Sequence, residues 1–191
     1  MAGKTANSRY GAVAIILHWL IAGAIVFMMY LGKTMEPEDY QSYQLHKSLG
    51  ITILALSLLR LIWRFVDPPP PLPAGISWWE RIGANASHWG FYALMIGVPL
   101  GGWALASTSA FDTKVWGSFT LPKLPFIADL AGDAKDAAGE RLEALHGFFG
   151  FFGFLALIAL HVGAALKHHF WNRDNVLARM IPFISAPRKS S

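Results

Sequence analysis

The stretch that decides the fold is LEALHGFFGFFGFLALIALHVGAALKHHFW, residues 142–171. No charged side chain lies between His146 and His161, a pattern typical of a helix that crosses a bilayer, where every backbone amide must bond internally. At helical rise the two histidines lie about 22 Å apart along the axis, within about 60° of the same face. One helix is therefore predicted to carry an imidazole near each membrane surface. Polar groups at such depth are functional-site candidates.

The composition also indicates a membrane protein. Apolar residues make up 54% of the 191 residues and charged residues only 15%, and the mean hydropathy is +0.38. The chain has no cysteine, which excludes disulfides, thiolate zinc sites, iron–sulfur clusters and covalently attached c-type haem. Any metal or haem must therefore be held by histidine or another non-thiolate ligand.

Four apolar runs are long enough to span a hydrocarbon core of about 30 Å. They cover about residues 11–31, 45–66, 83–107 and 142–170. A proline run at 67–73 ends the second helix, and the amphipathic piece 76–82 is expected at the interface because of its paired tryptophans. The loop 108–141 is expected to hold only short helical pieces. The sequence thus predicts one all-α membrane domain, residues 1–191, built as a four-helix bundle.

The charge distribution predicts the orientation. With four spans both termini share a side, which carries ten basic residues against three acids, whereas the opposite side carries six basic residues against nine acids. The ten are Lys4, Arg9, Arg60, Arg64, Arg81, Lys167, Arg173, Arg179, Arg188 and Lys189. Because cytoplasmic loops are enriched in lysine and arginine, both termini are predicted in the cytoplasm.

This topology places five histidines at two depths. His46 and His146 open helices that descend from the outer side, so they can meet near the outer surface. His18 and His88 lie in the first halves of helices that rise from the cytoplasm, and His161 lies in the second half of one that returns there. Facing histidines in a bundle are typical of a flat macrocycle ligated by imidazole on both sides. The prediction is one pair of ligands outside and up to three histidines inside.

A lone histidine in a helix is more often a hydrogen-bonded packing residue than a ligand. In a membrane span, however, its burial costs on the order of 2 kcal/mol or more, so histidines in or beside every span favour ligands. His168 follows His161 by seven residues and faces the same way. His169 points elsewhere and is interpreted as an interfacial residue.

Several motifs resemble the bacterial cytochrome b561 family, most closely its small four-helix di-haem superoxide oxidases. They are RY-x7-HW at 9–19, HKSLG at 46–50, LLRLIWR at 58–64, H-x6-M-x3-P-x2-G at 88–102, WGSFTLP at 116–122 and LHGFFG…LHVGAALKHHF at 145–170. Each motif is weak alone, and together they are specific. The resemblance runs from residue 9 to the MIP near the C-terminus and implies a protein of the bacterial inner membrane.

The resemblance also implies two non-covalent b haems. The haem toward the periplasm would have His46 and His146 as axial iron ligands. The haem toward the cytoplasm would have His18 and His161, although His18 and His88 could exchange roles. His88, together with His168, is otherwise implied as a quinone-site residue or as a neighbour of the inner haem.

The implied activity is that of an oxidoreductase that oxidises superoxide to O2 outside and reduces ubiquinone near the cytoplasmic surface. A basic patch is expected to draw superoxide to the outer haem, because local positive charge in an acidic surface focuses anions. Lys114, just before the WGSFTLP motif, is the first candidate and Lys47 the second; Lys123 and Arg141 are also considered. The expected partners are superoxide, ubiquinone and the lipid bilayer, with no nucleic acid.

Two other functions are weighed. The first is a quinol-linked haem b electron carrier, or a membrane anchor, for a periplasmic redox protein. The second is a divalent-metal transporter with a path lined by histidines. The near absence of carboxylates from the spans and the lack of broken-helix pairs argue against the transporter.

Overall fold

Four long helices dominate the computed structural model, which describes residues 9–36, 38–73 and 75–185. They are α1 (Ala12–Thr34), α2 (Tyr40–Val66), α3 (Trp78–Thr108) and a fourth that runs from Asp133 to Phe170. Each is long and apolar enough to cross a membrane, and at most 17% of its most apolar stretch is buried inside the protein. Most apolar side chains therefore face outward, as lipid requires, and the predicted all-α membrane fold is confirmed. Lys4, Arg188 and Lys189, which were counted for the orientation, lie outside the described residues.

The second helix begins five residues before its apolar run. Asp39 caps it, because the Asp39 carboxylate accepts a hydrogen bond from the Ser42 backbone amide at 3.1 Å. A further hydrogen bond from the Ser42 hydroxyl is the main reason why the pKa of the Asp39 carboxyl lies below its usual value. A polar cap thus extends the helix beyond the hydrophobic pattern.

The third and fourth helices also begin early. Ser77 and Glu80 form a capping box that starts α3 at Trp78, so most of the segment 76–82 is the first turn of α3 rather than a separate interfacial piece. The fourth helix starts at Asp133, inside the predicted loop, and carries acidic residues in its first turn. Such residues are favourable at the positive end of the helix dipole.

The fourth helix changes its winding near the middle. Its parts are α5 (Asp133–Phe148), a π-helical segment (Phe149–Gly153) and α6 (Phe154–Phe170). A π turn takes up one extra residue, so His146 and His161 are related by about fourteen helical steps rather than fifteen. Viewed down the helix axis, the His161 side chain is then about 40° short of four full turns from His146, whereas fifteen regular steps would place it about 60° past four turns.

The helices pack in chain order around an apolar layer. α1 packs on α2, α2 on α3, and α3 on both α5 and α6. The buried cluster between them consists of Ile21, Ile25, Ile53, Tyr92, Met95 and Phe154. Phe154 lies midway between His146 and His161 along the fourth helix. This mainly apolar cluster therefore lies between the two ends of the bundle.

A short β hairpin and a helical turn lie at one end of the bundle, here termed the hairpin end. β1 (Thr113–Val115) pairs antiparallel with β2 (Phe119–Leu121), and α4 (Pro125–Ala128) follows. The opposite end, which holds the beginning of α1 and the segment 171–185, is termed the tail end.

The hairpin is fastened to α2 by a stripe of polar side chains. Gln44, Ser48 and Thr52 are spaced by four residues and therefore share one face of the helix. Gln44 Nε2 donates to the Asp112 carbonyl at 3.2 Å, and Gln44 Oε1 accepts from the Lys114 backbone amide at 3.1 Å. The stripe thus fixes the height of the hairpin against α2.

Trp116, in the turn of the hairpin, is held by the same stripe. Its backbone amide donates to Ser48 Oγ at 3.0 Å, and its indole Nε1 donates to Thr52 Oγ1 at 3.1 Å. Trp116 has a φ of 51°, a left-handed conformation that is costly for a non-glycine residue. The two hydrogen bonds therefore stabilise a strained turn.

Ser48→Ala should loosen the hairpin. Ser48 is 2% exposed, and its loss leaves the Trp116 amide without an acceptor, at a cost of about 1–3 kcal/mol. Thermal unfolding in detergent and limited proteolysis at residues 112–121 would measure the change. Ser57→Ala is the matched control, because Ser57 lies on the same helix, is 0% exposed, and has a hydroxyl without a partner among the described residues. Equal stability of both variants would contradict the role of Ser48.

The segment after α6 folds back under the tail end. The Trp19 indole donates to the Met180 carbonyl at 3.0 Å. Arg179, which is 4% exposed, donates to the Pro71 carbonyl at 2.9 Å, and burial lowers the pKa of its guanidinium. This basic segment is therefore part of the fold and ties the proline-rich connector to α1.

Candidate functional site

Two of the predicted ligands face each other at the hairpin end. The ring centroids of His46 on α2 and His146 on α5 lie 5.9 Å apart, with the ring planes inclined by 71°. Two imidazoles on opposite sides of one metal ion, each with a metal–nitrogen bond of about 2 Å, have centroids about 6 Å apart. The observed separation fits this arrangement.

His146 is oriented by α3. Its Nδ1 donates to the Val98 carbonyl at 3.0 Å, since a carbonyl can only accept. The proton on Nδ1 leaves the lone pair of Nε2 free to bind a metal. A Cβ at Gly102 would lie 2.8 Å from His146 Cε1, so the site needs a glycine there. Nδ1 of His46 is buried and has no partner among the described residues, which is costly for a polar atom.

A cavity of about 780 Å³ opens beside this pair. Both imidazoles line it, as do glycines from all four long helices, namely Gly32, Gly50, Gly102, Gly147 and Gly150. Small-molecule and cofactor sites have volumes of about 300–1,000 Å³. A roomy cavity with glycine walls and two opposed imidazoles fits a flat iron macrocycle such as haem b.

Lys47 and Lys33 supply positive charge to this cavity, and Glu38 and Glu143 also line it. The sequence analysis missed Lys33 as a site residue. Its Nζ lies 4.5 Å from the centroid of the Phe151 ring in the π-helical segment. The sequence could have indicated Lys33, because this residue lies in the last turn of α1, at the same depth as the start of α2.

The other predicted cations are placed differently. Lys114 is exposed on β1 and does not itself line the cavity, although its neighbour Thr113 does. Lys123 donates to the carbonyls of Ser109 at 2.7 Å and Ala110 at 3.2 Å. Lys123 therefore binds backbone carbonyls beyond the end of α3.

At the tail end His161 faces two histidines. Its ring centroid lies 6.2 Å from that of His18 and 5.8 Å from that of His88, so distance alone does not select a partner. Arg60 interacts electrostatically with all three imidazoles, a role that the sequence did not indicate. Within the described part of the chain, no three His, Asp or Glu side chains are arranged to enclose a bare metal ion.

The packing of the helices distinguishes the two possible partners of His161. Within the described ranges, α2 and α5 do not pack closely against each other; these helices carry His46 and His146. The same is true of α1 and α6, which carry His18 and His161. α3, which carries His88, packs directly on α6. The helices that carry His18 and His161 thus approach each other less closely than the helices that carry His88 and His161.

His168 is buried near the tail end of α6 and is 8% exposed. Its Nδ1 donates to the Asp174 carboxylate at 2.6 Å. Asn172 Nδ2 lies 3.2 Å from the same nitrogen and 3.5 Å from Glu80 Oε1. His169 is turned away from this cluster, and its ring lies edge-on to that of Phe170 at 4.9 Å.

Tyr10 adds a phenol at the tail end, in the electrostatic field of three arginines. Burial raises its pKa, although the guanidinium groups of Arg64, Arg179 and Arg60 act in the opposite direction. The tail end thus combines histidines, arginines and a phenol.

Comparison with known proteins identifies the family. The sequence profile of prokaryotic cytochrome b561 matches residues 9–183. Cytochrome b561 homolog 2 of Escherichia coli strain K12 is 34% identical over 91% of each chain, and cytochrome b561 homolog 1 of the same strain is 30% identical over 92% of this chain and 98% of its own. A probable superoxide oxidase CybB of Yersinia pestis is 29% identical over 92% of this chain and 97% of its own. The chain therefore belongs to the prokaryotic cytochrome b561 family of haem b electron carriers in bacterial membranes.

Proposed function

We propose that the protein oxidises superoxide at the hairpin end and passes the electrons through two b haems to ubiquinone at the tail end. In this reaction two superoxide anions, one ubiquinone and two protons give two O2 and one ubiquinol. The observation that carries the proposal is the placement of facing imidazoles at both ends of one bundle, with His146 and His161 on the same helix. The likeness to the probable superoxide oxidase of Yersinia pestis supports superoxide as the donor.

The ligand assignment rests on geometry. His46 and His146 would hold the haem at the hairpin end. His18 would hold the other haem with His161, because a macrocycle between two ligands needs space between their helices, and α3 packs closely on α6 while α1 does not. When bound, the haem irons supply reversible one-electron transfer.

Lysine side chains at the hairpin end would attract an anion. Lys47 and Lys33 line the cavity, and Lys114 is exposed on the hairpin beside it. Positive charge in a surface with an excess of acids raises the local concentration of a small anion. The hydrogen bond from His146 to Val98 fixes its imidazole in the tautomer that a metal ligand needs.

The tail end would bind the quinone. His88 and His168 flank His161 there and could hydrogen-bond to quinone oxygens. In the proposed orientation this end faces the cytoplasm of a bacterium with the protein in its inner membrane, because the basic residues of the chain concentrate on this side. The protons for ubiquinol would then come from the cytoplasm.

The decisive experiment counts haem per polypeptide in the purified protein and records reduced-minus-oxidised spectra. We expect two b haems that superoxide reduces and ubiquinone reoxidises. Two haems that do not respond to superoxide would instead support a quinol-linked carrier or anchor for a periplasmic redox protein. Absence of haem from protein expressed with sufficient haem would contradict the proposal.

Lys114→Ala should slow the reduction of the haems by superoxide about two- to fivefold at low salt, because one cation near the cavity is lost. Both haem absorption bands should remain. Stopped-flow spectroscopy over a range of ionic strengths would measure the rate. Lys135→Ala removes an equal charge from the same end of the bundle and serves as the control, since Lys135 binds the Ala128 carbonyl at 3.0 Å instead of lying at the cavity. An unchanged rate in Lys114→Ala would contradict its role.

A further inference from the structure

Arg60 is a cation on the interior face of a membrane-spanning helix. It follows Ile53 by seven residues and His46 by fourteen on α2, so the three side chains point within about 40° of one another around the helix axis. Ile53 is buried in the apolar cluster between the helices, and His46 faces the cavity at the hairpin end. Arg60 is therefore directed into the bundle, at the depth of the tail-end histidines.

A surface role for Arg60 is the simpler alternative. A long cationic side chain near the end of a span commonly extends along the outside of the helix toward the lipid headgroups. The lipid-facing side of this part of α2 is marked by Leu59 and Ile62, which are exposed, whereas Arg60 is half-buried. The position of Arg60 on the helix does not fit an extension along the lipid surface.

The charge of Arg60 is not balanced by the side chains around it. Among residues 9–36, 38–73 and 75–185, its guanidinium has no hydrogen-bond or ion-pair partner. It exerts the largest charge effect on His18 and on His161, and it also acts on His88. Arg64 adds a second positive charge that acts on His88. No carboxylate of the described chain acts on these three imidazoles.

The hairpin end has a different distribution of charge. Lys33 and Lys47 line its cavity, and so do Glu38 and Glu143. Two positive side chains are thus accompanied by two negative ones beside the His46–His146 pair. The two ends of the bundle therefore differ electrically, with the unbalanced positive charge at the tail end.

We propose that Arg60 raises the reduction potential of the haem at the tail end and thereby directs electrons from the hairpin end to the tail end. The inference rests on the proposed function, which supplies the two haems. An iron loses one positive charge when it is reduced, so a fixed positive charge nearby favours the reduced form. In each transfer the iron at the hairpin end is oxidised by one electron and the iron at the tail end is reduced by it, without making or breaking a bond. Arg60 acts on this equilibrium through its electric field and is not a catalytic residue.

The test is a redox titration of the purified holoprotein, followed by its absorption spectrum. The His146→Leu variant, in which only the haem at the tail end should remain, identifies the transition that belongs to that haem. Arg60→Gln should lower the equilibrium constant for its reduction about tenfold, equivalent to about 59 mV for one electron. The transition of the haem at the hairpin end should not move. Arg60→Lys, which keeps the charge, should retain most of the wild-type potential.

Arg81→Gln is the matched control, because it removes an equal charge from the same end of the bundle. Arg81 is exposed near the beginning of α3 and does not act on the three imidazoles, so both potentials should equal those of the wild type. The effect of Arg60→Gln should also persist in about 1 M salt, where the field of a surface charge is screened within about 3 Å.

An unchanged potential of the tail-end haem in Arg60→Gln, or an equal shift in Arg81→Gln, would overturn the inference alone. If Arg60→Gln does not retain this haem, Arg60→Met replaces it, because methionine also removes the charge and is apolar. Loss of the haem from both variants would overturn the inference too, since the arginine would then serve haem binding rather than the potential. A wild-type protein without two haems would overturn the proposed function and the inference with it.

Discussion

His18→Leu should remove one of two haems from each polypeptide, whereas His88→Leu should leave both. Both rings lie within reach of His161, at centroid distances of 6.2 Å and 5.8 Å. α3 packs directly on α6, whereas α1 does not pack closely on it, so in the proposed assignment the macrocycle lies between α1 and α6. Leucine is close to histidine in size and apolar, so it preserves packing in a span while abolishing ligation.

The haem content of each purified variant, measured as a pyridine haemochrome per polypeptide, decides the assignment. His146→Leu serves as a reference, because it should lose the haem at the hairpin end and retain the other. His88→Leu should keep both haems and should reduce ubiquinone more slowly if His88 belongs to the quinone site. Loss of a haem from His88→Leu, with His18→Leu intact, would reverse the assignment.

Gly102→Ala should weaken or abolish binding of the haem at the hairpin end. An added Cβ would lie 2.8 Å from His146 Cε1 and 3.2 Å from its Nδ1. The ring cannot move aside without losing its hydrogen bond to the Val98 carbonyl. Overpacking of this kind costs about 1–3 kcal/mol, and here the strain falls on the atoms that orient a ligand.

Gly101→Ala is the matched control, since a Cβ at that position would have nothing within 4 Å. Haem content and the reduced-minus-oxidised spectrum should be normal for Gly101→Ala and should lack the contribution of one haem in Gly102→Ala. The haem at the tail end should be unaffected in both variants. Normal spectra and redox titrations for Gly102→Ala would show that the contact is not important for the site.

Much of the fold could be predicted from the sequence because membrane spans depend on long apolar runs. The helix starts were missed, since they are set by short polar caps such as those at Asp39 and Ser77 and not by hydrophobicity. The π-helical segment was also missed. The repeated phenylalanines and glycines of Phe149–Gly153 are equally compatible with an ordinary helix.

The candidate site was predictable only in part. Histidine positions along a helix give depth, which grouped His46 with His146 and placed His161 at the opposite end. The same reasoning could not distinguish His18 from His88, because the gap between two helices is a property of the packed bundle. Nor could it pair His168 with Asp174, since the chain reverses between them in a segment without regular structure.

The apolar layer around Phe154 has an electrical consequence. The buried cluster contains no carboxylate and no cationic side chain, so it supplies no counter-charge to an electron that crosses between the two ends of the bundle. In the proposed orientation each electron would move toward the negative side of an energised membrane, against about 2.3 kcal/mol per 100 mV for a complete crossing. The membrane voltage would therefore slow this electron transfer, and the protein would work fastest in a cell whose membrane is poorly energised.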